Sequence, residues 1–233
     1  MRRDRFFVPT DFAGLVLEWF DKDLSHQLKK VLRFSDRDEF YLFNGRGEEA
    51  KVSLLEEKGF LLKFKILDVK LAREEINEVT LYSALLKKDN FELVIQKSVE
   101  VGVSTIVPIL TKRTVKQGER LERWRQIAKE AAEQSGRLIL PKIEKPLNFS
   151  FALDRAKKTH QTNFIFDATG ETFKKSECDS LGIFVGPEGG FTEEEIFEAE
   201  KTGFYRTSLS NFVFRAETAA IIATFISTGG WSR

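Results

Sequence analysis

Two short stretches hold the residues most able to do chemistry. In residues 209–219, LSNFVFRAETA, an arginine (Arg215), a carboxylate (Glu217) and a hydroxyl (Thr218) stand together among apolar neighbours. An arginine can stabilise charge that develops on an oxygen, and a nearby carboxylate can orient it or take up a proton. At a helix start such a pair is more often an ordinary surface ion pair.

The second stretch, residues 186–195, reads GPEGGFTEEE. Its glycines permit positive φ and close backbone approach, but it lacks the Lys-Ser/Thr pair of a Walker motif and the glycine spacing of a dinucleotide fingerprint. Thr192 and Glu195 fit a capping box, with Phe191 and Ile196 as a hydrophobic staple. A phosphate at this helix start would meet Glu188, Glu193, Glu194 and Glu195, so a nucleotide-dependent enzyme is disfavoured. The loop suits a flat, neutral-to-cationic ligand read by backbone groups. It fits a tight strand-to-helix turn without a ligand as well.

Elsewhere the inventory is sparse. Neither His26 nor His160 has a triad-like setting, and no spacing points to a metal. Cys178 is the only cysteine, which excludes an intramolecular disulfide and leaves too few thiols for a structural zinc site. The 37 basic and 36 acidic residues nearly cancel, so any nucleic-acid contact must come from local clusters. The basic start MRRDRFFVPT has no apolar run behind it and no segment is long enough to span a bilayer, so the expectation is a cytoplasmic chain without a membrane partner.

The elements that must position these stretches follow from periodicity. Up to about Val69 the pattern is short and strand-like, with alternation in Glu39–Phe43, a turn at Asn44-Gly45-Arg46-Gly47 and one short helix near Ser25 to Leu32. This predicts a small β-barrel or roll over residues 1–70. Over 71–233 strands alternate with helices: strands at 79–86, 105–109, 163–166, 181–185 and 205–209, helices at 91–101, 119–135, 192–203 and 216–227. That alternation predicts an α/β domain with a parallel sheet covered on both faces, and ligands in the loops beyond its strands' carboxyl ends. The helix at 216–227 is so apolar that it must be buried, inside the domain or against another subunit.

Several segments together resemble the RsmE family of ribosomal RNA methyltransferases, of the SPOUT superfamily. They are His26 with Lys30-Val31-Leu32-Arg33, Gln96 to Val103 and Pro108, and Arg123-Trp124. After these come Ala131 to Arg137, Pro141, the GPEGGFTEEE loop and Arg215 to Ala219. The resemblance covers nearly the whole chain. It implies a PUA-like RNA-binding barrel, a C-terminal domain with a trefoil knot, and a homodimer. The implied activity is S-adenosylmethionine-dependent methylation at N3 of a uridine in 16S ribosomal RNA, free or in the assembled small subunit. Two positions depart from the family pattern: Ser210 stands where glycine is usual and Phe212 where arginine is usual. These departures are what would support a non-catalytic RNA-binding or ribosome-assembly protein, or another RNA target.

Carried over by residue, the resemblance places the cofactor against Phe166 and Asp167, against Gly186, Pro187, Glu188, Gly189 and Gly190, and against Leu209, Ser210, Val213 and Phe214. Arg215 then stabilises charge on the uracil oxygens, with Glu217 positioning it or assisting deprotonation. Arg2 and Arg5, Lys30 and Arg33, and Arg113 are the expected RNA-binding cations, with Phe6 and Phe7 as stacking surfaces or core.

Overall fold

The computed structural model describes residues 4–35, 38–71, 78–87, 89–115, 118, 120–174 and 178–229. They divide into two compact units. The first takes the described residues up to 71 together with 132–140, and the second takes 78–131 and everything from 141 on. A boundary drawn at residue 70 leaves 132–140 to the second.

The first unit holds β1 (Arg5–Phe7), β2 (Val16–Phe20), α1 (Lys22–His26), which runs on as a π-helical turn over Gln27–Val31, β3 (Glu39–Phe43), β4 (Glu48–Lys58) and β5 (Leu61–Leu71). Their sheet has the order β1-β3-β4-β5-β2, antiparallel except where β1 runs parallel to β3. Alternation decides the faces: Phe40 and Leu42 point into a core with Phe6, Val52, Leu62 and Phe64. Phe40 packs edge-on to Phe6 and Phe64 at 5.6 and 5.7 Å and stacks on Phe34 at 5.2 Å. Each such ring contributes about 2–3 kcal/mol by burial. Phe6 is therefore core, not a stacking surface for RNA. The β3–β4 turn is set by Asn44, whose Oδ1 accepts from the N–H groups of Arg46 and Glu48 at 2.8 and 3.1 Å.

The second unit alternates as its sequence predicts: β6 (Glu78–Ala84), α2 (Asn90–Glu100), β7 (Thr105–Leu110), α3 (Leu121–Ser135), β8 (Lys142–Ile143), β9 (Leu147–Asn148), α4 (Phe149–Thr159), β10 (Thr162–Thr172), β11 (Ser180–Val185), α5 (Glu193–Thr202), β12 (Tyr205–Ser208) and α6 (Ala216–Thr228). Only the last turn of α3 belongs to the first unit. The sheet order is β12-β10-β11-β6-β7-β8, with β9 also on β7, and every pairing is parallel. Helices α4 and α5 cover one face through Phe149, Leu153, Ile196 and Ala199, packed with Tyr82, Ile165 and Phe184. Helix α6 lies against β6, β11 and α2. There Thr228 Oγ1 donates to the Val101 carbonyl at 2.8 Å, so α6 is buried inside the unit along this side.

The short strands β8 and β9 were not expected, and two larger elements also differ from expectation. Helix α4 is absent from the sequence reading, although Phe149, Ala152, Leu153 and Ala156 have helical spacing and are all buried. Its start carries no side-chain cap bond and follows β9 directly, so no boundary signal marks it. Strand β10 continues to Thr172 instead of ending at Phe166. Its pairing with β12 shifts between Phe166 and Glu171, and Asp-Ala-Thr-Gly at that shift looks like the end of a strand.

Candidate functional site

The three strands β10, β11 and β12 release their loops at one end of the sheet, and those loops meet α6 around a cavity of about 560 Å³. Phe166 and Asp167 contribute from β10, residues 186–188 and Gly190 from the loop after β11, and Leu209, Ser210, Phe212, Val213 and Phe214 from the segment after β12. Arg215 and Glu217 complete the wall from the start of α6.

The loop after β11 is rigid for identifiable reasons. Gly190, at φ 69°, donates its N–H to the Pro187 carbonyl at 2.8 Å and closes the turn. A Cβ on Gly186 would lie 3.2 Å from the Gly190 carbonyl carbon and the Phe191 nitrogen, so the chain folds back on itself closely there. Arg113 Nη1 donates to the carbonyls of Gly189 at 2.5 Å and Phe191 at 3.1 Å. The Glu188 carboxylate accepts the Lys87 N–H at 3.0 Å. Thr192 and Glu195 form the expected capping box, and Phe191 and Ile196 are both buried.

The electrostatics correct the reading of this loop as a wall of carboxylates. Glu193, Glu194 and Glu195 do not line the cavity. Glu195 is buried and accepts the Lys112 N–H at 2.8 Å in addition to its capping bond. Glu194 lies 3.5 Å from Lys112 Nζ and Glu193 3.8 Å from Arg206. The acids that do face the cavity are Asp167, Glu188 and Glu217. Asp167 Oδ1 accepts from Arg206 Nη2 at 2.7 Å, Thr169 Oγ1 at 2.5 Å and the Thr169 N–H at 3.0 Å. Burial opposes its ionisation, but the Thr169 and Arg206 hydrogen bonds outweigh burial and hold the carboxyl below its ordinary range.

Arg215 and Glu217 share the cavity, yet neither pairs with the other or with any other side chain among the described residues. The surface ion pair is therefore absent, and so is a Glu217 contact that would position Arg215. Gly189 is the one expected cofactor contact that does not line the cavity; its carbonyl faces Arg113. Ser210 has no positive φ and holds its own turn, its Oγ accepting the Phe212 N–H at 3.0 Å. The departure at 210 thus carries no strain. Phe212 and Val213 are 78% and 85% exposed at the cavity edge.

Sequence reasoning missed Arg206, Asn90 and Ala168. Arg206 pairs in register with Ile165, two positions before Asp167, and that register leaves no mark in the sequence. Among the expected RNA-binding cations, Arg2 lies outside the described residues. Arg5 is engaged by Glu49 at 2.5 Å, and Arg113 is engaged by the loop carbonyls. Lys30 and Arg33 are exposed.

The sequence matches the family described as RNA methyltransferase domain over residues 73–227. Ribosomal RNA small subunit methyltransferase E of Mesomycoplasma hyopneumoniae is 34% identical, covering 79% of each chain. Its counterpart in Synechocystis is 33% identical over 85% of this chain and 68% of that one. Among solved structures, the Neisseria gonorrhoeae enzyme of the same name, bound to S-adenosyl methionine, superposes with a TM-score of 0.85 at 28% identity over 95% of both chains. A Legionella pneumophila protein in complex with the cofactor SAM gives 0.87 at 28% identity over 97% of both. With this coverage in sequence and in structure, the chain belongs to the ribosomal RNA small subunit methyltransferase E family of RNA methyltransferases.

Proposed function

We propose that this protein methylates N3 of a uridine in the RNA of the small ribosomal subunit, with S-adenosylmethionine seated in the cavity beyond β10, β11 and β12. The observation that carries this reading is the wall itself. Among the described residues it combines a tightly turned backbone, apolar side chains and three carboxylates, with Arg215 as its one cation. That donor set fits a ligand bearing an ammonium and a sulfonium and disfavours a polyphosphate. The bound cofactor supplies the methyl group as an electrophile; the chain's residues do the rest.

Uridine N3 carries a proton and is a poor nucleophile until that proton leaves. Loss of the proton places charge on the uracil oxygens. Arg215, unpaired among the described residues, is available to stabilise it, and Glu217 two residues on is available to take the proton. Phe212 and Val213, exposed at the cavity edge, are placed to pack against the base.

The finer fold belongs to the same reading: a PUA-like barrel in the first unit that holds RNA, a trefoil knot where α6 returns after β12, and a homodimer. A cytoplasmic enzyme acting on free RNA or on the assembled subunit goes with it. Calorimetric titration with S-adenosylmethionine, with ATP and NAD as controls, tests the reading. Binding of the methyl donor alone is expected; binding of ATP or NAD instead would overturn it.

A further inference from the structure

Two segments singled out in the sequence are not used by the cofactor cavity: Lys30 to Arg33, and Glu133 to Arg137. A hundred residues apart in the chain, they meet in the first unit around a second cavity of about 410 Å³. Gln27 and Leu32 line it from the π-helical turn, Glu133 and Gln134 from the end of α3, and Asp4 and Arg5 from β1 and the residue before it.

This cavity is built, not incidental. Arg5 is fixed by Nε donating to Glu49 Oε1 at 2.5 Å, and its guanidinium carbon lies 6.0 Å from the centre of the Tyr41 ring. Gly136, at φ 81°, makes room for it: a Cβ there would lie 2.4 Å from Arg5 Nη1. Glu133 Oε1 is held by the Phe7 N–H at 3.0 Å. Beside Leu32, Arg33 has φ 56°, the only positive φ on a non-glycine residue among those described. That φ ends the helical turn, with the Phe34 N–H donating to the Leu28 carbonyl at 2.9 Å, and it turns Arg33 to the surface. Lys30 and Arg33 are exposed, and neither meets a carboxylate among the described residues.

The lining sets two carboxamides and one guanidinium beside the carboxylates Asp4 and Glu133. Two carboxamides offer paired donor and acceptor edges, as recognition of an unpaired base requires, and a fixed planar guanidinium offers a stacking surface. Outside the lining, on the same helical turn as Gln27 and beside Leu32, Lys30 and Arg33 are exposed cations of the kind that meets phosphates. We propose that this cavity binds one unpaired nucleotide of the RNA substrate other than the methylated one, its base read by Gln27 and Gln134 and its phosphates held by Lys30 and Arg33. The proposal rests on the reading of the chain as an RNA methyltransferase and adds to it a site that sets register.

Titration with small-subunit ribosomal RNA over a salt series tests it. Gln27 and Gln134 are exposed, so the double variant Gln27→Ala/Gln134→Ala should fold as the parent does. It should bind RNA about 10–100-fold more weakly with an unchanged salt slope, as loss of base contacts predicts. Lys30→Ala should lower the salt slope by roughly one. Arg33→Gly should do the same while leaving Tm equal or higher, because glycine relieves the strained backbone. S-adenosylmethionine affinity should be unchanged in all three. If the parent binds and methylates the RNA and the double variant does so within about twofold, the nucleotide site is overturned and the enzymatic reading stands. If the parent binds the cofactor but no RNA, both fall.

Discussion

Arg215 and Glu217 are the residues whose roles are easiest to separate by experiment, because no partner among the described residues masks either of them. Arg215→Ala should lower kcat by roughly 10²–10³ with the cofactor affinity little changed, the loss typical of removing one group that stabilises developing charge. Single-turnover methylation beside a cofactor titration measures both quantities. Glu217→Gln keeps the shape and removes the proton acceptor, so its rate should recover as pH rises and more of the uridine ionises. A flat pH profile in that variant would leave Glu217 a positioning residue. Phe6 shows the limit of reading single residues: a phenylalanine beside a cation looks like a stacking surface for RNA, and the structure gives it to the core.

At the scale of elements, the loop after β11 depends on Arg113, a residue far from it in sequence. Arg113→Ala frees the carbonyls of Gly189 and Phe191, and the loosened loop should bind the cofactor about tenfold more weakly. Calorimetry reads this directly. Gly170 holds β10 against β12, since a Cβ there would lie 2.6 Å from the Thr207 backbone. Gly170→Ala should therefore destabilise the protein by about 1–3 kcal/mol, visible as a lower urea midpoint. The strands around these loops were legible as short continuous apolar runs, and the helices by apolar residues three or four apart. The capping box at Thr192 and Glu195 was legible too, as a local pattern. What the sequence could not show were contacts made across it. The Arg113 bonds to the loop, the Arg206–Asp167 pair and the partners of Glu193 and Glu194 all depend on which strands lie side by side.

For the molecule as a whole, stability should depend on pH through His160. Its Nε2 lies 3.1 Å from the Tyr82 hydroxyl; burial, then the Arg155 charge, pushes its pKa down from 6.5 to about 4. A depressed pKa means that the unfolded chain binds the proton more readily. This contribution is complete above pH 6.5 and is lost as pH falls towards 4. His160→Phe should flatten the stability profile across that window in urea unfolding, whereas an unchanged slope would assign the pH dependence to other groups. The division into two units was only half visible in the sequence. The change of rhythm after Val69 marks one boundary, but nothing in residues 132–140 announces that they serve the first unit, because their partners lie more than ninety residues earlier.

That discontinuity bears on how the protein is made. The first unit needs residues 132–140: Gly47 donates to the Leu138 carbonyl at 3.1 Å, Leu140 donates to that of Gly45 at 3.1 Å, and Phe7 donates to Glu133. A ribosome adding about 5–20 residues per second finishes β5 and then takes several more seconds to reach these residues. Through that interval the nascent sheet lacks its last pieces. A fragment ending near residue 71 would remain in that unfinished state permanently.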